Sequence, residues 1–207
     1  MQYFNTLPKI VYINEQGISS IYTNLMARAS IIPSVFKNPL IYYQYDLQEG
    51  DTPEIVAYKY YGDSYRYWIV LFANQIMDPQ WEWPLNYNTF NAYVKDKYGY
   101  NESLGTWSVL NPYSTTYQWQ KIITQYDAST QTTTVNTVVI DELAYNNLVE
   151  STNSYSLPTG QVSVSVTKNI LTYYDWEQET NESKRTISLL NERYVIELEK
   201  QFKNIMK

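Results

Sequence analysis

The chain contains neither histidine nor cysteine among its 207 residues. Without imidazole it lacks the usual general base near neutral pH and the commonest ligand of transition metals. Without thiols it can form no disulfide bond and no cysteine zinc site. These absences exclude catalytic triads and His/Cys metal centres, and they leave only carboxylates, lysines, tyrosines or serines for catalysis.

Glycine and long apolar runs are also scarce. The 6 glycines stand singly, which excludes a glycine-rich phosphate-binding loop. The longest comparable apolar run, residues 68–73, is far too short to span a bilayer. The N-terminus has no basic region followed by an apolar block, so we expect no secretory signal and an intracellular, soluble chain without a membrane partner.

Positive charge is in the minority, whereas aromatic residues are abundant. Fifteen basic against 21 acidic residues give a net charge of -6, which disfavours nucleic acid and anionic membranes as partners. The 23 Tyr and 6 Trp suit surfaces that a partner covers, because their rings are apolar and their tips polar. Tyrosine also fills cores and strands, and the composition leaves both uses open.

We expect four regions, of which the first is an N-terminal arm at residues 1–40. The arm contains three X-Pro pairs, each of which favours extended backbone because proline disfavours helical geometry in the preceding residue. They are Leu7-Pro8, Ile32-Pro33 and Asn38-Pro39. Between them, the apolar spacing over residues 18–29 predicts one short amphipathic helix. The arm either packs on its own domain or reaches a neighbouring subunit, and the pattern does not separate these two uses.

The second region, residues 41–99, contains a predicted strand at its start and two predicted helices. Asp51 or Thr52 offers an N-cap oxygen for the first helix, and Asp51 with Glu54 makes a plausible capping box. This helix is expected to stop near Gly62. The second helix should close at Asn74 to Pro79, and residues 80–85 should return as a strand beside residues 42–47. The result is a compact β-α-α-β unit.

This unit resembles a LysM module. The resemblance lies in the order of a strand, Gly-Asp-Thr, a helix ending in Tyr and Gly, a second helix ending in Asn, and a return strand. The matching positions are Gly50, Asp51, Thr52, Tyr60, Gly62 and Asn74. Further pairs are similar to the structural variant in the baseplate wedge protein 53 family of T-even-like contractile-tailed phages, namely Tyr61-Gly62, Tyr67-Trp68 and Asp78-Pro79. That variant holds protein subunits rather than sugars.

A predicted helix at residues 89–98 carries Phe90 and should pack on this module together with Trp68. In the third region, residues 100–174, strands of a small sheet are predicted by alternation at 117–123 and 162–166 and by a Thr- and Val-rich run at 132–140. Residues 141–149 suit either a short helix or a strand. Residues 150–160, rich in Ser, Thr and Asn, are expected to be an exposed loop.

The fourth region, residues 175–207, has a helical pattern throughout, so we expect one long amphipathic helix. It either covers its own domain or docks on another subunit, and its length favours docking. Two strings near the end of the chain also resemble the end of the wedge protein, namely Tyr173-Tyr174-Asp175-Trp176-Glu177 and Asn181-Glu182-Ser183-Lys184-Arg185-Thr186-Ile187. The predicted interface residues, in this helix and in the module, are Trp81, Trp83, Ile187, Leu190, Tyr194, Leu198 and Phe202.

Two other functions compete with assembly. LysM modules that bind peptidoglycan or chitin would use Asp51, Thr52, Pro53 and residues 74–78, but the chain lacks the glycine common before the closing strand. Carboxylate pairs such as Glu49 with Asp51 and Asp175 with Glu177 suit a glycosidase. Helix capping explains Asp51 and Asp175 more simply than catalysis. We therefore expect no enzyme, metal or cofactor.

The expected fold is α+β, with the arm, the LysM-like module, a small β-rich region and a long C-terminal helix. The resemblance implies a structural subunit of a contractile phage tail baseplate. Such a subunit would join neighbouring wedges in a sixfold ring, contact other wedge proteins, be assembled in the host cytoplasm and reside in the virion.

Overall fold

The computed structural model describes residues 3–27, 29, 31, 40–158 and 160–206. Ile32-Pro33 and Asn38-Pro39, which punctuate the expected arm, lie outside these residues. The fold is α+β, with 35% helix and 33% strand, so the predicted class is confirmed.

The described residues form both short and long strands, together with helices of four to fourteen residues. The strands are β1 (Lys9–Ile13), β2 (Ser19–Thr23), β3 (Tyr42–Asp46), β4 (Tyr100–Asn101), β5 (Thr106–Trp107), β6 (Thr116–Asp127), β7 (Thr132–Ile140), β8 (Ser151–Leu157), β9 (Gly160–Thr172) and β10 (Thr186–Leu190). The α-helices are α1 (Pro53–Tyr61), α2 (Tyr67–Ala73), α3 (Pro79–Glu82), α4 (Tyr87–Lys97), α5 (Glu142–Asn147), α6 (Tyr173–Glu182) and α7 (Glu192–Ile205). Short 3-10 turns occupy Tyr3–Thr6 and Ser64–Arg66.

The chain folds into two compact units. Unit 1 comprises residues 1–87 and 182–207, and unit 2 comprises residues 88–181. Unit 1 is thus assembled from both ends of the sequence, whereas unit 2 is one continuous segment.

The core of unit 1 lies where β3 and β10 pack with α1, α2 and α7. The two strands are antiparallel, with Tyr42 opposite Leu190 and Asp46 opposite Thr186. Residues from both ends of the sequence share this core, including Leu47, Val56, Ile69, Val70, Trp83, Leu189, Val195 and Phe202. Burial of these side chains supplies most of the driving force that joins the two segments.

Both ends of helix α1 are set by capping residues next to them in the sequence. Thr52 is the N-cap and accepts a hydrogen bond from the Ile55 N–H, while Pro53 takes the first helical position. At the other end Gly62 has a φ of 68°, and its N–H donates to the Tyr58 carbonyl. Both predicted ends are confirmed, and Thr52 rather than Asp51 supplies the capping oxygen.

Two predicted elements of unit 1 are wrong. Residues 80–85 form no return strand, because Pro79–Glu82 is a short helix capped by Asp78. The long C-terminal helix is interrupted, since β10 separates α6 from α7 and supplies the strand that pairs with β3. The segment 186–190 prefers the strand because this alternation buries both Ile187 and Leu189 in the core.

The arm contains a β-hairpin instead of the predicted helix at residues 18–29. β1 and β2 pair antiparallel, with Val11 opposite Ile21. The turn is held by the Asn14 side chain, which accepts from the N–H groups of Gln16 and Ile18, and Gly17 takes a φ of 77°. Tyrosine and β-branched residues in β2 favour a strand over a helix, so composition outweighs the helical spacing.

Unit 2 is built on a four-stranded antiparallel sheet of order β7-β6-β9-β8. The predicted strands at 117–123, 132–140 and 162–166 are confirmed as β6, β7 and β9, and the predicted helix at 89–98 is confirmed as α4. The ambiguous segment 141–149 contains the helix α5. The predicted loop at 150–160 is wrong, because β8 lies there as an edge strand, where polar side chains remain in solvent.

Candidate interaction surfaces

Asp51, the centre of the Gly50-Asp51-Thr52 motif, is a structural residue. Its side chain is 3% exposed and accepts hydrogen bonds from Lys59 Nζ at 2.6 Å, the Tyr45 hydroxyl at 2.9 Å and the Gln48 N–H at 3.0 Å. Burial alone raises the pKa of this carboxyl, but the three donors outweigh burial and hold the pKa below its usual range. Asp51 therefore fixes the loop between β3 and α1.

Asn74 also uses its polar atoms within unit 1. Its amide nitrogen donates to the carbonyls of Val70 and Ser188, at 2.8 and 2.9 Å, and its side-chain oxygen accepts from the Ser188 N–H at 2.8 Å. The side chain thus pairs with the backbone of β10 as a neighbouring strand would. Asp51 and Asn74, two of the residues that a sugar-binding LysM module would offer, thus already form intramolecular hydrogen bonds.

The other motif residues have local structural roles. Gly50 turns the chain with a φ of 83°, and Gly62 ends α1. Tyr60 stacks on Tyr43, while Trp68 is buried against Phe202. Asp78 caps α3, and Pro79 is the first residue of that helix. The motif therefore organises the fold of unit 1.

The two tryptophans predicted at an interface lie in different environments. Trp83 is buried, and its ring Nε1–H donates to the Asp51 carbonyl at 2.8 Å, so it belongs to the core. Trp81 is 57% exposed, and its carbonyl accepts from Lys184 Nζ. Only Trp81 of this pair presents its ring to solvent.

The predicted docking face at the C-terminus is largely internal. Ile187, Leu190 and Phe202 are buried in the core of unit 1, so their assignment to an outward face is wrong. The physical reason is that β10 and α7 complete the unit's own core. Tyr194 and Leu198 are less buried and line a cavity of about 280 Å³ beside Phe72.

A surface that the sequence analysis missed is the hairpin of β1 and β2. Both of its faces are exposed, with Val11 66% and Ile21 73% exposed on one face and Ile10 and Tyr22 on the other. The consecutive apolar residues Ile10-Val11-Tyr12-Ile13 could have revealed this surface, because a strand with one buried face alternates instead. We call this surface the apolar hairpin.

Unit 2 contains a buried charge cluster that the sequence analysis also missed. Glu177 of α6 is 5% exposed and accepts from Lys97 Nζ and from the Tyr98 hydroxyl. Burial, followed by the hydrogen bond to Glu177, raises the pKa of Tyr98. Burial alone lowers the pKa of Lys97, but its hydrogen bonds to Glu177 and Tyr93 raise it above the usual value. The cluster ties the end of α4 to α6.

Within the described residues, no three acidic side chains are grouped so that they could hold a metal ion. None of the described helices is long and apolar enough to cross a membrane. No protein-family model matches the chain, and no curated protein matches it either.

Proposed function

We propose that the chain is a non-enzymatic structural subunit of a contractile phage tail baseplate, in which it bridges adjacent wedges. The proposal starts from the resemblance to the wedge protein 53 family. The strand-helix-helix-strand order of β3, α1, α2 and β10 supports a LysM-like module. Its last strand, β10, follows unit 2 in the sequence.

The apolar hairpin carries the proposal. An isolated two-stranded hairpin is marginally stable in water, and unpartnered apolar surface of this kind marks a protein interface. Its residues Val11, Ile13 and Ile21 are each more than half exposed. Binding of another subunit over both faces would remove this area from water, which is the contribution expected of an assembly arm.

Sugar binding receives no comparable support. The side chains of Asp51 and Asn74 already form hydrogen bonds within unit 1, with Lys59, Tyr45, Gln48, Val70 and Ser188. A sugar hydroxyl would have to displace these hydrogen bonds and would weaken the fold of unit 1. The motif is therefore better suited to holding the module together than to recognising a glycan.

The first test is a double substitution in the apolar hairpin, Ile10→Asp with Ile21→Asp. These residues are exposed and lie on opposite faces of the hairpin, so the two carboxylates are not directly opposite each other and the melting temperature should change by less than about 2 °C. Incorporation into purified tails should fall at least about tenfold, because two buried carboxylates would be unpaired. Incorporation is measured by quantitative mass spectrometry of tails from a phage that lacks this gene and receives the variant gene in its place.

The matched control is Val109→Asp with Leu143→Asp, which introduces the same charges at exposed apolar positions outside the hairpin. It should be incorporated normally. Normal incorporation of the hairpin variant would contradict the role of the hairpin, and absence of the unmodified chain from purified tails would contradict the baseplate assignment.

A further inference from the structure

The four-stranded sheet of unit 2 has two chemically different faces. Directly opposite residues of antiparallel strands share a face, so the register sorts the side chains. One face, here called the valine face, includes Trp119, Ile123, Val138, Val164, Val166 and Ile170. The other face is mostly polar, with Gln120, Thr124, Thr137, Ser163, Ser165 and Asn169, and it also carries Ile122, Val135 and Val139.

The valine face is the more apolar of the two, yet it remains open. Among the described residues of this face none is buried, and Val138 and Ile170 are 40% and 43% exposed. An antiparallel sheet with one apolar face normally packs that face against another layer. Here the short helix α5 covers only part of it, through Tyr145 over Lys168.

Two lysines occupy the centre of the valine face. Lys121 lies directly opposite Lys168 in the register, and like charges in this arrangement repel. Lys168 Nζ is 5.0 Å from the centre of the Tyr145 ring. Glu150 is the nearby acid, but its carboxylate accepts from the Lys168 main-chain N–H at 3.0 Å. Within the described part of the chain, neither lysine forms an ion pair with a carboxylate.

These features define what can cover the face. A second copy docked through the same face would bring four lysines together, which electrostatic repulsion opposes. An apolar surface without charge would bury both ammonium groups unpaired, which is also costly. An amphipathic helix with one carboxylate in its apolar face satisfies both requirements, because it covers the valines and pairs the lysines.

We propose that the valine face is a docking site for an amphipathic helix of a partner protein that places a carboxylate between Lys121 and Lys168. This surface lies wholly in unit 2, and the inference does not depend on the baseplate assignment.

The test uses three labelled helical peptides of about five turns with leucine along one face. The central residue of that face is Glu, Gln or Lys. Fluorescence anisotropy with the full chain should show saturable binding of the Glu peptide, about fivefold tighter than that of the Gln peptide, with the Lys peptide weakest. The double substitution Lys121→Glu with Lys168→Glu should reverse this order.

The matched control is Gln120→Glu with Asn169→Glu, a directly opposite pair on the same two strands but on the polar face. It should leave the peptide order unchanged. Equal binding of the three peptides, absence of binding, or an equal effect of the control would overturn the proposal. A dimer in sedimentation that Val164→Asp dissociates would show that a second copy is the occupant, and would likewise overturn it.

Discussion

Asp51 and Asn74 hold together parts of unit 1 that local backbone hydrogen bonds do not join. Asp51 links the end of β3 to α1 through Tyr45 and Lys59, and its own carbonyl accepts from Trp83. Asn74 links α2 to β10, more than a hundred residues later. Because buried polar atoms must be paired, such residues are fixed by the fold as firmly as apolar core residues.

Replacement of Asp51 by Asn tests this role. The variant should lose about 1–3 kcal/mol of unfolding free energy at pH 7, because the buried partners lose a charged acceptor. The folded-state pKa of Asp51 is depressed, so its contribution is present above the unfolded-state pKa of about 3.9 and disappears as pH falls through the folded-state value. The difference between the two proteins should therefore shrink below about pH 4.

Urea denaturation at several pH values measures the effect. The exposed Asp46, whose carboxylate accepts from the Thr186 hydroxyl at 2.8 Å, provides the control Asp46→Asn. That substitution should cost less than about 0.5 kcal/mol. An equal loss in both variants would show that Asp51 has no special role.

At the scale of elements, the sequence predicted the helix ends that are specified by residues close to them in the chain. Thr52, Pro53 and Gly62 specify the two ends of α1 without help from distant residues. β10 could not be predicted, because Ile187 and Leu190 have the spacing of a helix face, whereas Ile187 and Leu189 have the spacing of a strand. Pairing with β3 decides between the two structures, and that pairing spans about 140 residues, as between Asp46 and Thr186.

Partners that are distant in the sequence also explain why the division of apolar residues between core and surface was predicted only in part. Composition indicated many aromatic contacts, but it could not assign Trp83 to the core and Trp81 to the surface. Ile187, Leu190 and Phe202 were interpreted as an outward face because their core partners, such as Trp68, lie far away in the sequence. Apolar spacing identifies a face that will be buried, but it does not identify the partner.

The role of β10 is tested by Leu189→Ala. Leu189 is fully buried, so removal of its side chain should cost about 2–5 kcal/mol, including the cavity that remains. Ile196→Ala on α7, where the side chain is 72% exposed, should cost less than about 0.5 kcal/mol. Thermal and urea unfolding of both variants measure this difference. A Leu189 variant as stable as the Ile196 variant would contradict the pairing of β3 with β10.

The stability that the Glu177 cluster contributes by connecting α4 to α6 should decrease at alkaline pH. The folded-state pKa values of Lys97 and Tyr98 are raised, so their contribution is complete below their unfolded-state values of about 10 and is lost as pH rises through the folded-state values. Glu177→Gln should cost about 1–3 kcal/mol at pH 7. This difference should shrink above about pH 10.5, because the unfolded chain then releases these protons more readily than the folded cluster does.

Denaturation between pH 7 and pH 11 follows this change. Glu179→Gln on the exposed side of the same helix is the control and should be neutral at every pH. A constant difference between Glu177→Gln and the unmodified protein across this range would exclude the proposed coupling.

At the scale of the whole molecule, the two ends of unit 1 that flank unit 2 are close together. The Glu49 carboxylate accepts from the Tyr87 N–H at 2.7 Å through one oxygen and from the Arg185 guanidinium at 3.1 Å through the other. Unit 1 also holds core residues from both sides, so residues 1–87 alone lack Leu189, Val195 and Phe202. We therefore expect the fold of unit 1 to require the C-terminal segment but not residues 88–181.

Replacement of residues 88–181 by a short Gly/Ser linker should consequently yield a unit 1 that unfolds cooperatively in urea, since short flexible linkers close small gaps at little entropic cost. Residues 86–183, which contain α4 and α6 complete, should fold separately. Residues 1–87 alone should show no cooperative transition, because the missing strand and helix leave the apolar core of the unit open. A cooperative transition in residues 1–87 alone, or none in the linked protein, would contradict the division into two units. Circular dichroism of the three proteins during urea titration distinguishes these outcomes.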